Sequence, residues 1–373
     1  MYRAVVRQVV PAACTAIAAV IAGSAASSQA ARIPAGEPPV AGRLTGVVGI
    51  APDDAWAVGL TGRPTEPSDP MIKHFDGTAW ITDASVPDPG GWAYLEAVSA
   101  TSTDDVWAAG YYTLGGFYPL IEHWNGKRWK IAPIENDAEG VQLHDVYAIA
   151  PDDVWADGWE LDADFDHVPI VYHYDGAAWT PTADPLPQFR DGDVPPEREF
   201  TAISAYAHDD VWAVGSAENY SAPLAEHWDG KTWSVVSPEI HEPGETLLDV
   251  HATGPDTAVA ISSSGLFRYN GSQWRRDRHF PTEYDLGAVD EPTRGNAWIV
   301  GQQDGRTAIL HGDRSHWRRV QSPNRGSNPN WLQAVDARTS DDVWAVGFVA
   351  PSFYAFSTTL IEHWDGTSWS IST

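Results

Sequence analysis

At 373 residues and 43% hydrophobic content, the chain is long enough for one large domain or two ordinary ones. A formal net charge of −28 opposes approach to a phosphate backbone, whose binding relies on counterion release by Lys/Arg clusters, so no nucleic-acid partner is expected. An anionic membrane surface would repel such a chain too, and the acidity serves solubility.

The first element is a predicted secretory signal over residues 1–30. Arg3 and Arg7 supply its positive start, an apolar run follows from Val9 to about Ile21, and Ser28-Gln29-Ala30 suits cleavage. The run is short for a membrane span, and no later stretch is apolar enough to insert. The one cysteine, Cys14, lies inside it, so the mature chain would have no disulfide, thiol nucleophile or thiolate metal site. Cleavage takes the charge from −28 to −30. An exported, extracellular and monomeric protein is expected. Residues 31–43 form a short N-terminal segment.

From residue 44 to 373 three elements recur seven times in constant order. Leu-x-x-Val-x-Ala starts at Leu44, Leu95, Leu143, Phe200, Leu247, Leu286 and Leu332. Asp-Asp-Val-Trp-Ala-Val-Gly follows at Asp53–Gly59, Asp104–Gly110, Asp152–Gly158, Asp209–Gly215 and Asp341–Gly347, with looser copies at Asp256–Ser262 and Gly295–Gly301. His-Trp-Asp-Gly-x-x-Trp closes each repeat at Trp80, Trp129, Trp179, Trp233, Trp274, Trp317 and Trp369. Short runs of Val, Ile and aromatics bounded by turn residues read as strands, and Asp-Gly is a tight hairpin turn. Four strands per repeat of about 40–57 residues predict an all-β, seven-bladed β-propeller with four-stranded antiparallel blades. The first strand, with small third and sixth positions such as Ala97 and Ala100, belongs at the crowded axis. Sixteen of the 19 Trp occupy repeat positions and read as wedges between splaying blades. Ring closure is expected from packing of blade 1 on blade 7.

Val343-Trp344-Ala345-Val346-Gly347 and Ile361–Trp369 resemble the hydrophobic strand, turn and Trp of kelch-type propellers of the galactose-oxidase-like superfamily. The Asp-Gly-x-x-Trp turns are also similar to the Asp-box of sialidase-like propellers. The resemblance spans residue 43 to the end at the level of fold, with one Gly where strict kelch repeats have two. The wording of the repeats is similar to that of exported bacterial repeat proteins. The chemistry of these families lacks its residues: copper oxidation needs a cysteine cross-linked to tyrosine, and Arg32-Ile33-Pro34 lies ahead of the first strand.

Alternating strand directions put the uniform Asp-Asp and Asp-Gly turns on one face. The second-to-third loops and blade connectors fall on the other, and their variable length and content suit binding. Trp92, Trp159 and Trp331 fall there, with Tyr94, Tyr111, Tyr112, Phe348 and Tyr354, and the carboxylates Glu199 and Asp285. Aromatic faces flanked by carboxylates suit a sugar or a protein anchor. The residue before each first strand forms a predicted ring at the channel mouth: Arg43, Tyr94, Gln142, Glu199, Thr246, Asp285 and Trp331. Asp162, Asp164 and Asp166 alternate like a calcium loop but lack its Gly and distant Glu, and calcium is the one cofactor the sequence suggests. The repeated histidines, one per blade, read as partners of neighbouring turns rather than as a metal site. Three functions are thereby expected in order: an exported non-catalytic binder of glycan or protein, a secreted glycoside hydrolase or lyase using paired carboxylates, and a structural envelope or extracellular repeat domain.

Overall fold

The computed structural model describes residues 40–62, 68–134, 139–182, 197–217, 222–238, 244–313, 315–351 and 357–373. These form twenty-eight strands in seven sheets of four, each sheet made of consecutive antiparallel strands. The predicted propeller is thus present, and no described blade borrows a strand from another. The first strands, Gly42–Ala51, Trp92–Ser102, Val141–Ala150, Glu199–Ala207, Leu247–Gly254, Asp285–Thr293 and Asn330–Thr339, pack on one another in ring order and line the axis. The first of them also packs on the last, closing the ring. Val40 O accepts the amide of Thr359, and Gly42 N donates to Ser357 O, so the lead-in to blade 1 is tied to blade 7.

Each first strand carries a β-bulge just after its leading apolar residue, as between Leu95 and Ala97 or Leu332 and Ala334. The bulge aims one extra residue per blade at the axis: Thr45, Glu96, His144, Thr201, Leu248, Gly287 and Gln333. It also explains the Gly that ends the second element. A Cβ on Gly110 would sit 2.0 Å from Tyr94 O, and one on Gly347 would sit 2.0 Å from Trp331 O. In those blades glycine admits the carbonyl that the bulge pushes against the second strand, whereas blade 5 carries Ser262 opposite Leu247.

An innermost strand has no partner strand on its channel side, so its free amides and carbonyls need other partners. Side chains of the adjacent blade supply them at all seven joints. Thr45 Oγ1 donates to Leu95 O at 2.7 Å, and Ser99 Oγ accepts Ala148 N at 3.0 Å. Asp145 accepts Ile203 N at 2.9 Å, and Ser204 accepts Ala252 N at 3.0 Å. Asp249 accepts Val289 N at 2.7 Å, and Asp290 accepts Ala337 N at 2.5 Å. Asp336 closes the ring by accepting Gly49 N at 2.9 Å. The expectation of small third positions is corrected here in two blades. Asp145 and Asp249 stand where other blades have Ala or Gly, because their carboxylates bridge to the next strand.

A second belt lies further out. In blades 1, 2, 3, 4 and 7 the Asp that opens the second strand bonds a histidine of the third strand, as in His74–Asp54 at 2.8 Å and His363–Asp342 at 2.6 Å. That imidazole stacks on the buried Trp of the second strand, with centroids 3.9 Å apart for Trp107 and His123. The same Trp meets the fourth-strand Trp of the following blade edge-on, as Trp107 meets Trp179 at 5.6 Å and Trp344 meets Trp80 at 5.2 Å. Blade 6 keeps the arrangement with Asn296 for Asp. Blade 5 lacks it: Val259 replaces Trp, and Arg268 replaces His and pairs with Glu291 of blade 6. Its second and third strands, Thr257–Ser262 and Gly265–Tyr269, are also short.

Asp336→Ala is expected to destabilise the protein by about 1–3 kcal/mol, because it leaves the Gly49 amide without its partner. Asp341→Ala, in the exposed turn that follows the same strand, should cost no more than about 0.5 kcal/mol. Equilibrium denaturation of both variants measures the difference.

Candidate ligand site at the channel mouth

The residue ahead of each leading apolar position does form a ring at one end of the axis, and strand pairing doubles it. Tyr94 lies opposite Tyr111, Gln142 opposite Trp159, Glu199 opposite Ser216, Asp285 opposite Gln302, and Trp331 opposite Phe348. Directly opposed residues share one sheet face, so these five blades each present a pair of side chains rather than one.

The pairs divide the mouth into two arcs. From blade 7 through blades 1 and 2 to blade 3 it is aromatic, with one cation. Trp331 stacks on Phe348 at 5.2 Å, and the Arg43 guanidinium lies 5.3 Å from the Phe348 ring centroid. Tyr94 stacks on Tyr111 at 4.8 Å, Tyr111 meets Phe117 edge-on at 6.1 Å, and Phe117 meets Trp159 at 5.7 Å. Across blades 4, 5 and 6 the mouth is polar. Glu199 faces Ser216, Glu245 accepts from Ser262 and Ser264, and Gln302 donates to Asp285.

Arg43 therefore sits between two stacked aromatic pairs. Its Nε is buried and has no hydrogen-bond partner among the described residues. Glu96, on the bulge just inside, is pushed up to about 7 by burial, against the lowering pull of Arg43. Burial, then the Glu96 charge, raise the Tyr111 hydroxyl above the usual tyrosine range. Glu199 is likewise pushed up to about 7 by burial, with Glu197 adding to it.

Behind the mouth is an axial cavity of about 260 Å³, lined by the bulge residues and by Asp145, Tyr147, Asp249, His251, Asp290 and Asp336. Burial raises Asp145 to about 8, Asp336 to about 7 and Asp249 to about 6; the Asp249 charge adds to the first and the Asp290 charge to the second. Asp157 faces Asp145 across the strands where blades 1, 4, 6 and 7 have Val. It is fully buried, and burial and the Asp145 charge hold it well above the carboxylate range. These shifted carboxyls resemble an acid–base set, but Asp145 and Asp249 each accept two backbone amides, and Asp157 has no exposed surface. The geometry of Asp145 and Asp249 is that of inter-blade ties.

The structure brings Tyr94, Tyr111, Trp331 and Phe348 together with Arg43. Trp92 opens its strand at the rim, 37% exposed. Two expected contacts are corrected. Trp159 is only 4% exposed, closed between Phe117 and His167, and supports the arc instead of offering a face. Tyr112 lies on the opposite sheet face, stacked on Tyr118 and packed against the blade 1–2 core. Glu199 and Asp285 lie on the polar arc, and Tyr354 falls outside the described residues. Asp162 Oδ1 accepts the amides of Asp164 and Asp166, a self-contained turn. Among the described residues, the close His/Asp groupings lie elsewhere. Glu96 and the axial carboxylates were missed, although Asp145 and Asp249, in a repeat position otherwise held by Ala or Gly, were a visible signal.

These features define a β-propeller with an amphipathic mouth. No family model and no curated protein matches the chain. Several solved propellers do match its fold. YCF48 bound to D1 peptide is 15% identical, with a TM-score of 0.55 over 86% of this chain and 92% of that one. The BP39L lectin from Burkholderia pseudomallei is 13% identical, with a TM-score of 0.58 over 90% and 99%. The WD40 repeats of RRP9 are 10% identical, with a TM-score of 0.56 over 86% and 94%. At these identities the likeness is one of fold.

The axial carboxyls fix a pH dependence. Unfolded, they ionise near pH 4, whereas the folded chain holds these protons up to pH values of about 6–8. The folded state binds more protons across that window, so stability falls as pH rises through it. His251, raised by Asp290 and Asp249 against the effect of its burial, acts in the same direction. Turn carboxylates such as Asp76 and Asp365, lowered to about 2 by hydrogen bonds from their own turns, lose their contribution only below about pH 4. The melting temperature should therefore peak near about pH 4–5 and decline toward pH 8, and Asp157→Asn should flatten that decline in a calorimetric pH series.

Proposed function

We propose that this chain is an exported, non-catalytic recognition protein that binds a glycan or a protein segment at the channel mouth. The observation that carries this reading is the Arg43 guanidinium set between the Tyr94/Tyr111 and Trp331/Phe348 pairs, opposite a polar arc. Ring faces pack against sugar C–H surfaces or apolar side chains, while Arg43 and the polar arc take up hydroxyls, carbonyls or a carboxylate. A lectin and a peptide-bound protein among the propellers of like fold support either ligand class. The predicted signal over residues 1–30 supports export, and the charge of −28 argues against a nucleic-acid partner. The repeat wording supports kelch-like kinship.

The test is binding of the purified protein to arrays of glycans, polysaccharides and peptides, with and without calcium, while the supernatant is assayed for released sugar. Tyr94→Ala and Trp331→Ala are each expected to weaken binding by about tenfold to a hundredfold, or about 1.4–2.8 kcal/mol. Tyr112→Ala, on the other sheet face, should leave it unchanged. Released sugar would replace this reading with a polysaccharide-cleaving enzyme. No binding on either array, with no release, would leave the structural repeat domain.

A further inference from the structure

We propose that Asp153, His173 and His208 form a binding site for a divalent transition ion of zinc type, across the joint between blades 3 and 4. The site lies on the face of uniform turns, at the opposite end of the blades from the mouth, and is independent of any ligand bound there.

The carboxylate that opens the second strand has a repeated role: one oxygen accepts the histidine of its own blade. Its second oxygen varies. In blade 7 it takes Arg338 at 2.7 Å, and in blade 4 the backbone amide of Asp256 at 2.9 Å. In blade 3 it takes a second imidazole. His173 Nε2 lies 2.8 Å from Asp153 Oδ1, and His208 Nδ1 lies 2.9 Å from Asp153 Oδ2. His208 comes from the turn between the first two strands of blade 4, so two blades contribute. The three ligand atoms lie within 4.8 Å of one another, and the two imidazole centroids are 6.1 Å apart.

Two of the three ligands are already fixed. Trp155 Nε1 donates to Asp153 Oδ1 at 2.9 Å, and the His173 ring stacks on Trp155 at 4.2 Å. Such outer contacts hold ligand orientation in metal sites. The third, His208, is 66% exposed and free to move the short distance that coordination requires. Each imidazole shifts its proton to its other nitrogen on binding, so neutral histidine presents a lone pair with no net loss of a proton. Two imidazole nitrogens and one carboxylate suit zinc far better than calcium, which takes six to eight oxygens. Three protein ligands leave a fourth position for water. The bound ion would pin blade 4 to blade 3.

Isothermal titration of zinc into the untagged full chain, with cobalt absorption as a spectroscopic check on geometry, tests this. The expected result is one zinc equivalent that disappears in His208→Ala, while the melting temperature without metal is unchanged. His279→Ala, which removes an equally exposed histidine elsewhere, should keep it. Zinc should raise the melting temperature of the wild type and not of His208→Ala. Failure of the wild type to take up zinc at micromolar concentration would overturn the proposal. So would full retention of zinc by His208→Ala.

Discussion

Everything in this molecule depends on what happens to the free edge of an innermost strand. Seven such edges face an axis too narrow for an eighth sheet, and their amides and carbonyls are cut off from further strand pairing. The chain answers with a side chain from the adjacent blade at every joint, from Thr45 in the first to Asp336 in the last. The same placement puts carboxylates in a confined cavity, which raises their affinity for protons. Ring closure and the acid character of the axis are thus one design decision seen twice.

The outer belt solves a different problem. Blades diverge with distance from the axis, and the gap is filled by indole rings meeting edge-on between neighbouring blades. Stacked imidazoles hold those indoles in place, and each imidazole is held by a carboxylate at the strand start, or in blade 6 by the Asn296 amide oxygen. A rigid scaffold of this kind leaves the connectors free to differ, and they form the mouth. The aromatic and polar arcs are therefore differences among blades that are otherwise built alike.

The repeat architecture was fully legible in the sequence because it rests on residues that recur: the Trp, the Asp-Gly turn, the single Gly opposite the bulge. Strand order, the identity of the inner strand and the structural role of the histidines followed from the same recurrence. The mouth was partly legible. Tyr94, Tyr111, Trp331 and Phe348 were found as departures from the repeat, but periodicity does not tell which sheet face a departure occupies beyond a bulge, so Tyr112 was grouped with them. Trp159 was found as well, but its burial depends on Phe117 and His167, which come from other strands. The axial carboxylates were overlooked because an inner position occupied mostly by Ala suggested that size alone was selected there. Asp145 and Asp249 show that hydrogen bonding to the next blade was selected too.

The joints are also unlike one another, and this governs how the ring can be assembled wrongly. Seven copies of one unit invite a blade to dock on the wrong neighbour, a characteristic failure of repeat proteins. Here Arg268 of blade 5 is matched by the buried Glu291 of blade 6, and His251 of blade 5 by Asp290. Blade 5 against any other partner would enclose the Arg268 guanidinium with no acid to meet it, because the other blades carry Gly or Ala where blade 6 has Glu291, at a cost of several kcal/mol. The blade that looks most degenerate by the repeat pattern thereby acts as a proofreading mark, giving a nearly seven-fold object a single permitted order.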